Sequence, residues 1–420
     1  MKKEKAAILK SPSNIRIANQ IVVMDYIRER PISCIELSKK TSLSNPALKL
    51  ITEELLEEKL IVPYVNINNG KKGRGRQRVL YTVDNDIGVF AAIDLSGRDM
   101  VFCISDASNQ ILIRDTVKHV IYIDEDVLKE ISRKLKNMLL SDVVNNRPLL
   151  GVCISSPGKF DKLTHDFISA PRVKDCRTLN IQKYFENEFH VQCEMFNDIN
   201  LGLAGEARFG SIPKDAKNVF FVFIDITSGS SLMFNGDLYT GSNGFAGEMA
   251  NINEVDDCSR NYLGRFFTIT DIYAEIHELS KDSNDSFFKQ DVFQLNDVVE
   301  RYKQNDPIVS KAVDKSARVN ALQLLYIANL LDLDYICIDG RILDFGKEYF
   351  ETLLRYFRLY DKNFNTVQII TSSLNHDSNL LGAVYQASSK YLLSRFAEMA
   401  KKRTNSENYG AISYFANRVQ

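Results

Sequence analysis

Residues 218–252 read NVFFVFIDITSGSSLMFNGDLYTGSNGFAGEMANI, and this stretch decides the fold. Val219 to Ile224 is an unbroken apolar run, the mark of a strand buried on both faces, and Asp225 follows it. Thr227-Ser228-Gly229-Ser230-Ser231 reads as a small polar loop and Leu232 to Asn235 as the next strand. Asn235-Gly236-Asp237 is a hairpin signal. A glycine-rich loop then delivers Glu248. Backbone N–H groups in such loops suit phosphate or sugar oxygens.

The same plan occurs earlier in the chain. Val89 to Ile93 is apolar and runs into Asp94, Ser96-Gly97 makes a small loop, and Met100 to Ile104 is the next strand. Ser108-Asn109-Gln110 is the turn, and Ile111 to Arg114 the third strand. A strand–Asp–loop–hairpin unit used twice predicts two related α/β lobes.

Charge divides the chain differently. Residues 1–82 hold 16 Lys+Arg against 8 Asp+Glu, and the rest holds 37 against 46. A basic head on an acidic body predicts a polyanion partner for the head. The 7 Cys, odd in number and without a CxxC pair, argue against a disulfide framework. Met1-Lys2-Lys3 is not followed by an apolar segment, and no run has the length of a membrane span. A cytoplasmic protein without membrane contact is the expectation.

The head, residues 1–83, reads as a winged helix-turn-helix. Ser13 is placed to cap a helix carrying Ile17, Ile21, Met24 and Ile27 at helical spacing, and Pro31 stops it. Ser33-Cys34-Ile35-Glu36 is a capping box for a second helix. Ser44 or Asn45 caps a third, with Leu48, Ile51 and Leu55 as its buried face. Ser44, Asn45, Lys49 and Thr52 are then expected to face DNA, since this type of helix enters the major groove by its N-terminal part. Leu60 to Ile67 and Arg78 to Val83 read as the strands of a wing carrying Lys71, Lys72, Arg74 and Arg76 for phosphate or minor-groove contact. A small helical interaction domain with a solvated basic loop is the competing interpretation. One such head offers few base contacts, so a homodimer or tetramer on double-stranded operator DNA is expected.

In the body, residues 84–420, Leu149 to Ile154 is a strand leading to Ser155-Ser156-Pro157-Gly158. Val191 to Phe196 is a strand followed by Asn197-Asp198-Ile199-Asn200 and a helix. Asp198 therefore lies where a strand hands over to a helix, a common place for a functional carboxylate and equally for a helix cap.

These pieces resemble the ROK family of repressors, open-reading-frame proteins and sugar kinases. The matching pieces are Asp94-Leu95-Ser96-Gly97, Ser156-Pro157-Gly158, Asn197-Asp198-Ile199-Asn200, the Gly241–Glu248 loop and Leu381-Gly382-Ala383, in order and across nearly the whole length. The resemblance implies a two-lobed actin/hexokinase-like (ribonuclease H-like, duplicated) α/β fold with a sugar in the cleft between lobes. It implies that Asp198 matches the kinases' general base, and that Asn197 and Glu248 hold the sugar, with Gly158 in the same site. The winged head belongs to the family's repressors.

Departures from the family pattern point away from catalysis. The first phosphate loop, usually Asp-x-Gly-Gly-Thr, is Asp94-Leu95-Ser96-Gly97-Arg98 here, and the second, usually Gly-Thr-Gly-x-Gly, is Thr227-Ser228-Gly229-Ser230-Ser231. A Cβ where backbone must approach phosphate is obstructive. Loss in both loops predicts no ATP or magnesium use, since phosphoryl transfer rests on positioning and electrostatics. The family's zinc cluster is reduced to Cys258, with Asn251 for its His, so no zinc is expected. Arg172 and Arg265 fall where the family places neutral or acidic sugar ligands; they would suit an acidic or phosphorylated sugar, or else point to solvent or pair with nearby carboxylates. The sum predicts a sugar-responsive repressor of carbohydrate-utilisation genes with a degenerate kinase body as sensor and Asp198 as a vestigial base. A sugar kinase that also binds DNA is one alternative. A scaffold answering to a protein partner through the apolar patch Ile412 to Phe415 is another.

Overall fold

The computed structural model describes residues 12–64, 79–161, 164, 166–170, 172–174, 178–249, 265–363 and 366–404. Two compact units result: Met1–Gly158, His165–Phe196 and Ala383–Gln420 form the first, and Lys159–Thr164 with Asn197–Gly382 the second.

The head opens with α1 (Pro12–Glu29), which begins one residue before the Ser13 expected as its cap. Helix α2 (Cys34–Thr41) is started by the capping box of Ser33 and Glu36. Helix α3 (Asn45–Glu57) is capped by Ser44, whose side chain accepts from the Ala47 N–H, with proline in its first turn. Strands β1 (Ile61–Tyr64) and β2 (Leu80–Val83) pair antiparallel, Ile61 opposite Val83. Ile32 extends this sheet through mutual backbone bonds with Tyr81 at 3.0 and 2.9 Å. The tip of the expected wing, with Lys71, Lys72, Arg74 and Arg76, lies outside the described residues.

Both units then repeat one sheet. In the first, β3 (Val89–Asp94), β4 (Met100–Asp106), β5 (Ile111–Val117), β6 (Leu149–Ser156) and β9 (Cys193–Asn197) take the order β5-β4-β3-β6-β9. Short strands β7 (Lys159–Phe160) and β8 (Phe167–Ser169) intervene in sequence. In the second unit, β10 (Val219–Ile224), β11 (Ser228–Phe234), β12 (Asp237–Leu238), β13 (Tyr335–Asp339) and β14 (Gln368–Thr371) take the order β12-β11-β10-β13-β14. Each sheet is an antiparallel meander whose first strand pairs in parallel with the strand that follows it. The duplicated α/β architecture inferred from the sequence is therefore present.

Helix α4 (Glu125–Leu139) buries Leu128, Ile131 and Leu135 on the first unit's side. Helices α5 (Ile181–Phe189) and α6 (Asp198–Phe209) flank β9 in sequence. The second unit adds α7 (Ile269–Leu279), α8 (Leu295–Lys303), α9 (Pro307–Leu331) and α10 (Gly346–Tyr360). Phe220, Val222, Phe266, Ile272, Leu324 and Tyr349 are among the side chains of its core. There Asn320 bridges the Phe267 backbone and the Tyr349 hydroxyl at 2.7 to 3.1 Å, and burial pushes that phenol up to about 12. The last helix, α11 (Ser378–Thr404), is continuous from the second unit into the first. Among the described residues no helix is long and apolar enough to cross a membrane.

Two local expectations are corrected. Thr52 does not face outward. It is 1% exposed, and its Oγ1 donates to the Leu48 and Lys49 carbonyls at 3.0 Å. The reason is period: position 52 follows Leu48 by one turn and precedes Leu55 by three residues, so it shares their buried face. Nor is Ser228 to Ser231 a loop; only Thr227 remains in the turn. Strand β11 begins at Ser228, with Ile224 opposite Ser228 and Val222 opposite Ser230. Serine and glycine are turn-rich in general, but here Ser230 and Ser231 are buried and hydrogen-bonded.

Candidate sugar-sensing site and its phosphate loops

The second unit brings three expected ligands onto neighbouring segments. Strand β9 ends at Asn197, whose Oδ1 accepts from the Ile199 and Asn200 N–H groups at 3.0 and 3.2 Å. Asn197 is thus the cap of α6, and Asp198 is its first helical residue. A carboxylate there is favoured by the helix dipole, and the Ile199 N–H donates to it at 3.0 Å.

Strand β11 ties this helix start to the Glu248 loop. Ser231 Oγ donates to Asn200 Oδ1 at 2.6 Å, and a Cβ on Gly229 would stand 2.8 Å from Ile199 Cγ1. Gly229 is needed for that packing. One residue on, Ser230 Oγ donates to the Gly247 carbonyl at 2.6 Å. Gly247 itself has φ +88, and a Cβ there would meet the Ser230 carbonyl oxygen at 2.3 Å. The loop is thereby fixed one residue before Glu248.

Lys159 completes the group, and sequence reasoning missed it. Its Nζ lies 3.6 Å from Glu248 Oε2 and 5.3 Å from the centre of the Phe245 ring. Both partners are partly exposed, 23% and 29% by side chain, so a polar ligand can compete for them. The signal available was position: Lys159 directly follows the Ser156-Pro157-Gly158 motif. Gly158 makes the turn before it, with φ +111, and a Cβ there would stand 2.7 Å from the Ser169 carbonyl.

The two arginines have other partners. Arg172 donates to the carbonyls of Ser96 and Val120, at 2.5 and 3.0 Å, and so braces the loop after β3. Arg265 pairs with Asp271, which is also the capping-box residue of α7.

Each of the two loops expected from the family pattern to face phosphate is held by the chain's own groups. In the first unit, Asp94 Oδ1 accepts from Ser96 N at 3.1 Å and Ser155 Oγ at 2.8 Å, while Leu95 N donates to the Ser155 carbonyl. Gly97 follows in this loop, where a Cβ would lie 3.2 Å from the Asp99 carbonyl. In the second unit, the Arg341 guanidinium grips Asp225 with three contacts of 2.7 to 3.1 Å. That bonding raises the arginine's pKa further. Asp225 N donates to the Thr227 carbonyl at 2.8 Å, closing a tight turn.

In the head, α3 presents Ser44, Asn45 and Lys49 to solvent, Lys49 lying 3.6 Å from Glu53. Asn251 and Cys258, which stand where the family pattern places zinc ligands, lie outside the described residues, as does the patch at 412–415. Among the described residues no cluster of three or more His, Cys, Asp or Glu is arranged to hold a metal ion.

The ROK family model matches residues 90–390. The chain is 23% identical over 384 residues to the xylose repressor of Caldicellulosiruptor bescii, covering 87% of this chain and 94% of that protein. It is 20% identical over 327 residues to the DNA-binding transcriptional dual regulator NagC of Escherichia coli, covering 76% and 78%. Among solved structures, a ROK family transcriptional regulator, a homologue of E. coli MLC, superposes with TM-score 0.73 at 18% identity over 92% of this chain and 98% of that one. A ROK family glucokinase from Streptomyces griseus in complex with glucose and AMPPNP gives 0.59 at 18% identity, over 71% and 99%, sharing the fold of the body. With the family model spanning most of the length, the chain belongs to the ROK family.

Proposed function

We propose that the chain is a sugar-responsive, DNA-binding transcriptional repressor whose kinase-type body senses a sugar and does not phosphorylate it. The observation that carries this is the Asp225–Arg341 pair. A guanidinium bonded to the aspartate beside the second phosphate loop favours a self-satisfied turn over one that waits for phosphate. The Asp94–Ser155 bond supports the same reading at the first loop. These residues fit a nucleotide and magnesium poorly, and we assign neither ATP, magnesium nor zinc to the protein.

The sugar would be held by Asn197, Asp198 and Glu248, with Lys159 beside Glu248. Asp198 then accepts a hydrogen bond from a sugar hydroxyl where a kinase would use it as a base. Ser44, Asn45 and Lys49, with the basic stretch at 71–76, would contact a palindromic operator in a dimer or tetramer, in the cytoplasm. The relatives named xylose repressor and DNA-binding transcriptional dual regulator NagC support a DNA-binding role for the chain. A bound sugar changes DNA affinity only by its differential affinity for the two states of the protein.

The test is a thermal-shift screen of sugars, sugar acids and sugar phosphates, each with and without Mg-ATP. A hit at about 100 times its Kd stabilises the fold by about 2.7 kcal/mol. Asp198→Ala should abolish the shift while operator binding persists. An unchanged response in Asp198→Ala refutes the site assignment. Retention of Asp198 keeps one second reading, a sugar kinase; phosphorylation of any sugar in the same screen would establish it.

A further inference from the structure

The most deeply buried cation of the head's first helix has no part in the sites described above. Arg28 of α1 keeps 1% of its side chain exposed. Its Nε donates to the Ala107 carbonyl at 3.1 Å, and its terminal nitrogens reach Asn109 Oδ1, Ser388 Oγ and, at 3.1 Å, Ser389 Oγ. The guanidinium lies 5.4 Å from the centre of the Tyr385 ring. The Asp25 carboxylate lies 3.7 Å away. Ser388 also donates to Asn109 at 2.8 Å, so the three elements α1, the β4–β5 turn and α11 close one network.

A buried charge that spends its donors on a carbonyl, an amide and two hydroxyls is not the economical way to join two helices. An apolar side chain of the same volume would often stabilise the join as well or better. What arginine adds is a rigid planar fork, whose bonds are satisfied in only one register of α11 against α1. At its other end α11 is equally constrained. A Cβ on Gly382 would stand 2.0 Å from the Leu201 carbonyl oxygen, and one on Gly205 would stand 2.1 Å from that of Ser378. The buried Glu206 carboxylate accepts from Ser378 Oγ and from the Ser373 and Leu374 N–H groups, each at 3.1 Å. Helix α6, which carries Leu201, Gly205 and Glu206, begins at Asp198.

We propose that Arg28 is a positioning residue that couples the DNA-binding head to helix α11, so that the state of the Asp198 helix is transmitted along α11 to the Arg28–Ser388 joint. Tyr385 with Asp25 at 3.3 Å and Arg395 with Glu58 at 2.7 Å add contacts along the same face of α11. This proposal rests on the DNA-binding reading of the head. Coupling is reciprocal, so DNA on the head must alter the far end of α11.

The experiment uses the full chain and a duplex that the wild-type protein selects from a random library. Hydrogen exchange is measured with and without that duplex. In the wild type, duplex binding should change exchange in residues 198–209 and 378–388 by about 5-fold or more, the lower bound of ordinary allosteric coupling. In Arg28→Lys and in Ser388→Ala, duplex affinity should stay within about 3-fold, while the remote change falls below about 2-fold. Ser388→Ala decides alone if Arg28→Lys fails to fold. A wild-type remote response in Ser388→Ala overturns the coupling, as does a response confined to the head in the wild type. If no duplex is enriched, the DNA-binding reading itself falls and the coupling with it.

Discussion

The two units use one sheet plan and end their leading strands on or next to an aspartate, yet they settle that aspartate differently. In the first, Asp94 is satisfied by a hydroxyl and a backbone amide, while Arg172 braces the loop through carbonyls. In the second, Asp225 is neutralised by a forked arginine from the turn after β13. Nearby, Gly340 lets that turn pass close to β10, since a Cβ there would meet the Ile224 carbonyl oxygen at 2.3 Å. Duplication fixes where an acid stands, whereas its partners decide whether it waits for a ligand. Helix α11 repeats the contrast in packing terms. Its start meets α6 with no room for a methyl group, whereas Gly151 of β6 has 3.6 Å to the Ala387 carbonyl.

That packing difference gives the largest predicted effect. Gly382→Ala should cost about 3 kcal/mol, because the obstacle is backbone and cannot rotate away. Gly151→Ala should cost well under about 1 kcal/mol, its new methyl finding ordinary contacts. Urea denaturation of both variants checks this, and equal midpoints would break the contrast. The aspartates come next. Arg341→Ala leaves Asp225, 15% exposed by side chain, without its cation and should destabilise by about 1–3 kcal/mol. Ser155→Ala removes a hydroxyl donor to Asp94 and should cost about 1 kcal/mol. If Ser155→Ala proves the more damaging, the second loop does not depend on its ion pair.

The sheets, the capped helices of the head and the Asn197-Asp198 handover were legible because each depends on local pattern: apolar runs, capping boxes, a hairpin dipeptide. Asn235 and Gly236, both at positive φ, form the turn that the dipeptide announces. What escaped were pairings between distant segments. Nothing local in Arg341 says that it grips Asp225, and nothing in Arg28 says that it is buried against Ser388. Ser230 and Ser231 looked like loop because composition is a statement about average environment, and their partners Gly247 and Asn200 come from elsewhere in the chain. Helix α8 carries no cap signal in the sequence: it is 9 residues long and its cap, Gln294, makes no side-chain bond.

The smallest effect separates the units by pH. In the first unit, the Lys134 ammonium of α4 lies 2.9 and 3.0 Å from the two oxygens of Asp115 on β5 and holds that carboxyl below the usual range. In the second, burial pushes the Asp344 carboxyl up, against the opposing pull of His376 at 3.7 Å. The signs are opposite. Asp115 binds its proton less readily folded than unfolded, so its contribution is present above about pH 4, the unfolded value, and is lost as pH falls through the folded one. Asp344 binds its proton more readily folded, so its contribution is greatest below about pH 4 and declines as pH rises through its folded value. Carboxyl-detected NMR titration should place the Asp115 midpoint below, and the Asp344 midpoint above, that of an unstructured aspartate. Lys134→Met should return Asp115 toward the ordinary range and leave Asp344 where it is. A common midpoint for the two would mean that solvent, and not the local partners, sets both carboxyls.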